Sequence, residues 1–215
     1  MDSGLLTFAI LCFTSFFTLA NPLGTMPVFL NQTEGCTEDE RKAIAKKSTI
    51  VAFFTLVIFA FFGRYIFLIF GVSTDAFRIA GGIIIFKIGY DMLQAHITHI
   101  KLNETERKIQ HYTDNIAITP LAIPMLCGPG SIANGIVLME DAETAWYKVA
   151  MIVSIALVYL ITFLILRASN KLYKLLGETG SNVMMRLMGL ILMVIAVECM
   201  ISGLKPVLSS IISMA

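Results

Sequence analysis

The chain has 215 residues, of which 57% are hydrophobic and 14% charged, and its formal net charge is +1. Soluble domains carry about 25% charged residues, so a soluble fold of this size could not bury so much apolar surface, and the composition indicates an integral membrane protein. The near-neutral charge gives no support for a nucleic-acid partner. The four cysteines have neither metal-site nor redox spacing, so no metal site or cofactor is predicted.

Six apolar segments follow one another, and each approaches the about 20 residues that a helix needs to cross a bilayer. They cover residues 5–30, 43–63, 76–95, 116–139, 147–166 and 184–204. We therefore predict an all-α polytopic membrane protein in which residues 1–215 form a single transmembrane domain. Residues 65–72 are too short to span and either lie in the interface or extend the second helix. The first segment follows Asp2 without a basic residue, which favours a retained helix over a cleaved signal peptide.

Basic residues predict the orientation, because cytoplasmic loops are enriched in lysine and arginine. Eleven of the 16 basic residues fall on the side of loops 1–2, 3–4 and 5–6: Arg41, Lys42, Lys46, Lys47, Lys101, Arg107, Lys108, Arg167, Lys171, Lys174 and Arg186. We predict a multi-pass membrane protein with both termini outside the cytoplasm. The loop 97–115 and its flank hold His96, His99 and His111, for which a solvated loop is favoured over a metal site.

The two halves of the chain resemble each other. NPLGTMP (21–27) aligns with IPMLCGP (123–129), which pairs Pro22 with Pro124, and FRIAGGIIIF (77–86) aligns with MRLMGLILMV (185–194), which pairs Gly81 with Gly189. The shared order of motifs indicates duplication, with repeat 1 at about 1–96 and repeat 2 at about 116–215. Three spans per half force the second half to enter from the opposite side, an inverted repeat typical of secondary transporters. Chance likeness between short apolar helices is the alternative.

Proline and glycine interrupt the first and fourth segments, NPLGTMP and ITPLAIPMLCGPGSI (118–132). Proline removes a helical N–H and clashes with the carbonyl four residues back, and unwound backbone at membrane depth is tolerated only inside protein or beside a watery cavity. We therefore predict that helices 1 and 4 are broken near the bilayer midplane, where the two breaks meet. Simple kinks for packing are the alternative.

A meeting point of two broken helices suits a zwitterion. Half-helices that begin there present free N–H groups to a carboxylate, and those that end there present carbonyls to an ammonium group. Asn21, Thr25, Ser131 and Asn134 add neutral donors and acceptors. Charged residues inside spans are costly, so Asp91 and Glu198 are candidates for carrying a coupling proton. The alternative is a structural role, in which Asp91 forms an ion pair with Lys87 or the acids lie near the membrane interface.

The segments NPLGTMPVF and TPLAIPMLCGPGSI resemble the signature segments of the MarC family of inner-membrane proteins, which includes SnatA-type neutral amino-acid transporters. The resemblance covers nearly the whole chain. It implies a carrier of glycine, alanine and similar small neutral amino acids, driven by an ion gradient of protons rather than sodium. A substrate-binding role passes to the residues at the motif positions: Asn21, Pro22, Gly24, Pro27, Pro120, Pro124, Gly128, Pro129, Gly130 and Ser131.

Three other functions are the alternatives: an exporter, an intramembrane enzyme and a channel. An exporter of drugs or amphiphilic metabolites would need a large aromatic-lined cavity. An intramembrane enzyme is not expected, because the sequence has no H-E-x-x-H, nucleophile elbow or paired intramembrane Asp motif. A channel would need a ring of charges or carbonyls from an oligomer, and the oligomeric state is left open.

Overall fold

The computed structural model describes residues 3–94 and 117–214, which form seven helices and no strand. The helices are α1 (Ser3–Ala20), α2 (Pro22–Gln32), α3 (Glu38–Phe70), α4 (Thr74–Leu93), α5 (Ala117–Leu126), α6 (Pro129–Asp141) and α7 (Ala145–Met214). The prediction of an all-helical fold is confirmed for these ranges. The three histidines of the long loop lie outside the described residues.

Four stretches of the described chain are long and apolar enough to cross a membrane: Gly4–Leu30, Glu38–Phe70, Ala145–Ser169 and Arg186–Pro206. A fifth results if α5 and α6, which meet at an angle of 56°, count as one span. Helix α4 is not among them because four charged residues lie within its 20 residues. The protein is therefore a multi-pass helical membrane protein, while six spans remain a prediction.

Helix α3 begins and ends at residues whose chemistry explains its bounds. Thr37 and Glu40 form a capping box, in which the Thr37 N–H donates to Glu40 Oε2 at 2.7 Å and the Glu40 N–H donates to Thr37 Oγ1 at 3.3 Å. Gly71 ends the helix in the left-handed region, with φ of 63°. Residues 65–70 thus extend the second span, which was one of the two alternatives.

Helix α7 contains two spans that lie side by side. The Tyr159 hydroxyl donates to the Leu126 carbonyl at 3.0 Å, and Cys199 lies beside Gly130. Leu126 and Gly130 are close in the chain, whereas a straight helix would separate Tyr159 from Cys199 by about 60 Å. The chain therefore reverses direction between its two apolar stretches, Ala145–Ser169 and Arg186–Pro206, here called the fifth and last spans.

The last span packs antiparallel against α4 with almost no space between the backbones. A Cβ atom added at Gly89 would lie 2.7 Å from the Gly189 carbonyl oxygen, and one added at Gly203 would lie 2.6 Å from the Asp75 carbonyl oxygen. Small residues allow this close approach between membrane helices. In two inverted halves of three spans each, the third span of one half runs antiparallel to the third span of the other. The packing of α4 against the last span therefore supports the inverted repeat, which stays a prediction.

The close contact predicts that Gly89→Leu destabilises the protein. The added side chain must displace backbone of the last span, and overpacking costs about 1–3 kcal/mol. We expect a lower thermal unfolding midpoint in detergent. Ala80→Leu is the matched control, because Ala80 lies exposed on the same helix. Equal midpoints for the two variants would contradict the packing described here.

Candidate functional site

A small cavity lies where the two interrupted segments meet. Its lining includes six of the residues predicted from the motifs and their neighbours: Asn21, Thr25, Pro124, Gly128, Gly130 and Ser131. The cavity volume, taken as the space available to the centre of a water molecule, is about 40 Å³. One water needs about 10–15 Å³ on this measure, so the cavity has room for about three waters.

The first interruption is a single residue. Asn21 separates α1 from α2 and adopts a φ of 41°, a left-handed value that asparagine tolerates better than most residues. Its side-chain Oδ1 accepts a hydrogen bond from the Gly24 N–H at 3.1 Å. The Asn21 N–H donates to the Phe17 carbonyl and the Thr25 N–H donates to the Asn21 carbonyl, so helical hydrogen bonding continues across the break.

The first span is therefore interrupted, as predicted, but at Asn21, and the backbone around Pro22 and Pro27 stays helical instead of freeing several carbonyls. Pro22 is the first residue of α2, where no N–H is required. Pro27 lies inside α2 and removes only the one hydrogen bond that the Leu23 carbonyl would accept. The prolines change the direction of the first span without exposing a run of carbonyls.

The second interruption is larger and agrees with the prediction. Thr119 and Ile123 have extended backbone, with φ of −130° and −129°, and each precedes a proline, which disfavours the helical conformation. The Cys127 N–H then bonds to the Ala122 carbonyl at 2.8 Å, a wider turn than an α-helix makes. The helical path resumes at Pro129 after a turn of 56°.

The N-terminus of α6 borders the cavity. Gly128 is its N-cap and supplies no side-chain bond to the first turn, so the N–H groups of Gly130 and Ser131 have no helical partner. Both residues line the cavity. This end of the helix is electropositive and favours an anionic group.

Three side-chain atoms near the cavity are buried without a hydrogen-bond partner in the described part of the chain: Asn21 Nδ2, Ser131 Oγ and Asn134 Nδ2. Ser131 is 2% exposed. A buried polar group left unsatisfied costs about 1–3 kcal/mol. Because Asn21 and Ser131 line the cavity, a bound group that accepts hydrogen bonds would remove this cost.

No charged side chain lines the cavity among the described residues. Asp91 on α4 is half-buried and Glu198 on the last span is exposed, and neither contributes to the lining. A net charge on a bound solute would therefore find no opposite side-chain charge in this wall, where only backbone dipoles and neutral polar groups are available.

Five of the predicted residues do not line the cavity: Pro22, Gly24, Pro27, Pro120 and Pro129. Gly24 packs against the Asn21 side chain, and Gly81 of α4 lies against the Pro129 ring, where a larger residue would clash. Pro22 and Pro27 belong to the bent first span. These residues shape the positions of their neighbours.

Sequence reasoning missed the apolar part of the lining, which is Leu19, Ile85, Ile88, Met125, Leu192, Ile195 and Cys199. Five of them belong to α4 and the last span, where the alignment of residues 77–86 with 185–194 indicated duplication but gave no sign of a cavity. It also missed Tyr159, which is 4% exposed. Its hydroxyl binds the Leu126 carbonyl just before the second interruption.

Together the spans and the cavity define a multi-pass helical membrane protein with a small uncharged site between interrupted helices. Residues 6–208 match the family described as MarC family integral membrane protein. The chain belongs to the MarC family.

Similar proteins cover nearly the whole chain. The chain is 43% identical over 208 residues to the UPF0056 membrane protein YvbG of Bacillus subtilis. The aligned region covers 95% of this chain and 99% of that protein. It is 40% identical to MJ1677 of Methanocaldococcus jannaschii (93% and 97% covered) and 33% identical to YhcE of Escherichia coli (94% of each). No solved structure matches the chain.

The hydrogen bond from Tyr159 predicts a cost for its removal. Tyr159→Phe leaves the Leu126 carbonyl unsatisfied in an apolar interior, so we expect the free energy of unfolding to fall by about 1–3 kcal/mol. Thermal unfolding in detergent measures the loss. Tyr65→Phe, at a side chain that is 64% exposed, should leave the midpoint unchanged, and an equal shift in both variants would contradict the anchoring role.

Proposed function

We propose that the protein is a secondary active transporter of small neutral amino acids, of the glycine and alanine class and the SnatA type. The observation that carries the proposal is an uncharged cavity bordered by a helix N-terminus and two unpartnered polar side chains, Asn21 and Ser131. Such a wall can hold both ends of a zwitterion by dipoles and hydrogen bonds alone.

The substrate carboxylate binds the free N–H groups at the start of α6, together with Ser131 Oγ and Asn21 Nδ2. The substrate ammonium group binds carbonyl oxygens of the irregular segment, such as that of Pro124, which lies beside Gly128. Separate sites for the two charges explain why the binding site needs no charged side chain.

Cavity size limits the substrate. Sites for drug-sized ligands occupy about 300–1,000 Å³, whereas this cavity offers about 40 Å³ and has no aromatic side chain among its described lining residues. Glycine and alanine are the amino acids nearest to this size, and binding either of them requires the surrounding helices to move apart. These two observations favour a small amino acid over the alternative, an exporter of drugs or amphiphilic metabolites.

The proposed energy source is a proton gradient rather than sodium, across an inner membrane with both termini outside. Asp91 and Glu198 remain the candidate proton carriers, although neither lines the cavity. Asp91 lies on α4 and Glu198 on the last span. Movement of these two helices against each other would couple a proton bound at either acid to the substrate.

Uptake into liposomes tests the function. Purified protein should accumulate labelled glycine when a proton gradient is imposed, and unlabelled alanine should compete, whereas aspartate, lysine and phenylalanine should not. Uptake no greater than in protein-free liposomes would reject the transporter. Competition by phenylalanine as strong as by alanine would reject the size limit.

Ser131→Ala tests the site. Loss of a hydrogen bond to a charged group weakens binding by about 1.5–3 kcal/mol, so we expect the KM for glycine to rise about tenfold or more. Thr14→Val is the control, because Thr14 is an exposed hydroxyl of α1 whose side chain bonds only within its own helix. An unchanged KM in the Ser131 variant would remove Ser131 from the site.

Asp91→Asn and Glu198→Gln test the coupling. Exchange of labelled for unlabelled glycine without a gradient needs no net proton movement, whereas accumulation does. We expect at least one variant to keep exchange and lose proton-driven accumulation. Full accumulation in both variants would show that neither acid carries the proton.

A further inference from the structure

A second, larger cavity opens at the end of the protein where α3 begins. It lies between α2, the first turns of α3 and the end of the fifth span, and its volume is about 540 Å³ by the same measure. The charge count along the chain predicts that this end faces the cytoplasm. None of the residues that line it belongs to the proposed substrate site.

The wall of this basic cavity carries four cationic side chains, those of Arg41, Lys42, Arg167 and Lys171. Glu38 and Asp39 are the acidic residues of its described lining, so the net charge of the wall is +2. The Arg41 Nε donates to the Thr33 carbonyl oxygen at 3.1 Å, which holds this guanidinium at the wall. A site arranged in this way attracts an anion.

The rest of the wall is apolar. Phe29 and Leu166 are buried, and Leu164 is 52% exposed on the apolar fifth span. Arg167 and Lys171 follow Leu164 and Leu166 at the end of that span. The cavity therefore passes from hydrocarbon depth to a basic rim within about two helical turns, which fits a ligand with an acyl chain and an anionic head.

A cavity at the opposite end of α3 has nearly the same size but the opposite charge. Its volume is about 570 Å³, and its charged lining residues in the described chain are Arg64, Asp75 and Glu140. Arg64 pairs with Glu140 at 3.4 Å. Size alone therefore does not distinguish the two cavities, whereas the surplus of cations does.

We propose that the basic cavity binds the headgroup of an anionic phospholipid. The phosphate contacts Lys42, Arg167 and Lys171 beside the anchored Arg41, and one acyl chain lies along Leu164. Basic pockets between membrane helices are known to hold anionic headgroups. The site is distinct from the central cavity and does not depend on the transported solute.

Lipid binding to the full-length protein tests the proposal. The purified protein in detergent is titrated with phosphatidylglycerol or phosphatidylcholine, and the bound lipids are counted by mass spectrometry of the intact complex. Each basic residue near an anionic surface contributes about a fivefold gain in affinity. We expect Lys42→Gln combined with Arg167→Gln to weaken phosphatidylglycerol binding about 25-fold, with little effect on phosphatidylcholine.

The control removes two charges from the same side but outside the cavity, by Lys46→Gln combined with Arg186→Gln. Both positions are exposed, and both variants should unfold at the same temperature as the parent protein. An equal loss of binding in the two variants would overturn the site in favour of general surface attraction. Competition by glycerol 3-phosphate at concentrations similar to the lipid would overturn the lipid in favour of a soluble phosphate compound.

Discussion

The membrane requires every backbone N–H and carbonyl in the hydrocarbon region to find a partner within the protein, and the rest of this structure depends on how that requirement is met. At Asn21 it is met almost completely, because a side-chain oxygen and two backbone bonds cross the break. At the start of α6 it is not met by the helix itself, since Gly128 offers no capping side chain to the first-turn N–H groups, and the Ser131 hydroxyl has no partner in the described part of the chain either. The unmet groups surround a cavity, and this makes the second interruption the chemical centre of the molecule.

The cavity exists because four helical segments from distant parts of the chain approach one another closely. Glycines bring α4 into backbone contact with the last span, and Gly81 leaves room for the Pro129 ring. Tyr159 holds the end of α5 through the Leu126 carbonyl. The polar groups of the site are thus set in an apolar frame, and none of the described lining residues is charged.

The ion pairs of the described residues lie at the ends of helices instead. The described ion pairs join Arg64 to Glu140 and Arg78 to Asp75, both near the same end of α3 and α4. The opposite end has a surplus of cations around the basic cavity. The two cavities therefore differ in charge: the central one has no charged side chain in its described lining, and the one at this end carries a net positive charge.

The sequence by itself determined the membrane class, the approximate bounds of the helices and the second interruption. The length and apolar composition of a segment indicate a membrane span, and residues such as Pro124 and Gly128 change the backbone at their own positions. Both signals can be interpreted without knowing which other segments are in contact. Only the tertiary structure decided that the first interruption is one residue long, that Ile85 and Leu192 line the cavity, and that Asp91 and Glu198 do not. The first of these features follows from the hydrogen bonds around Asn21. The others follow from contacts between segments far apart in the chain, and a linear pattern of prolines carries no information about which helix faces will meet.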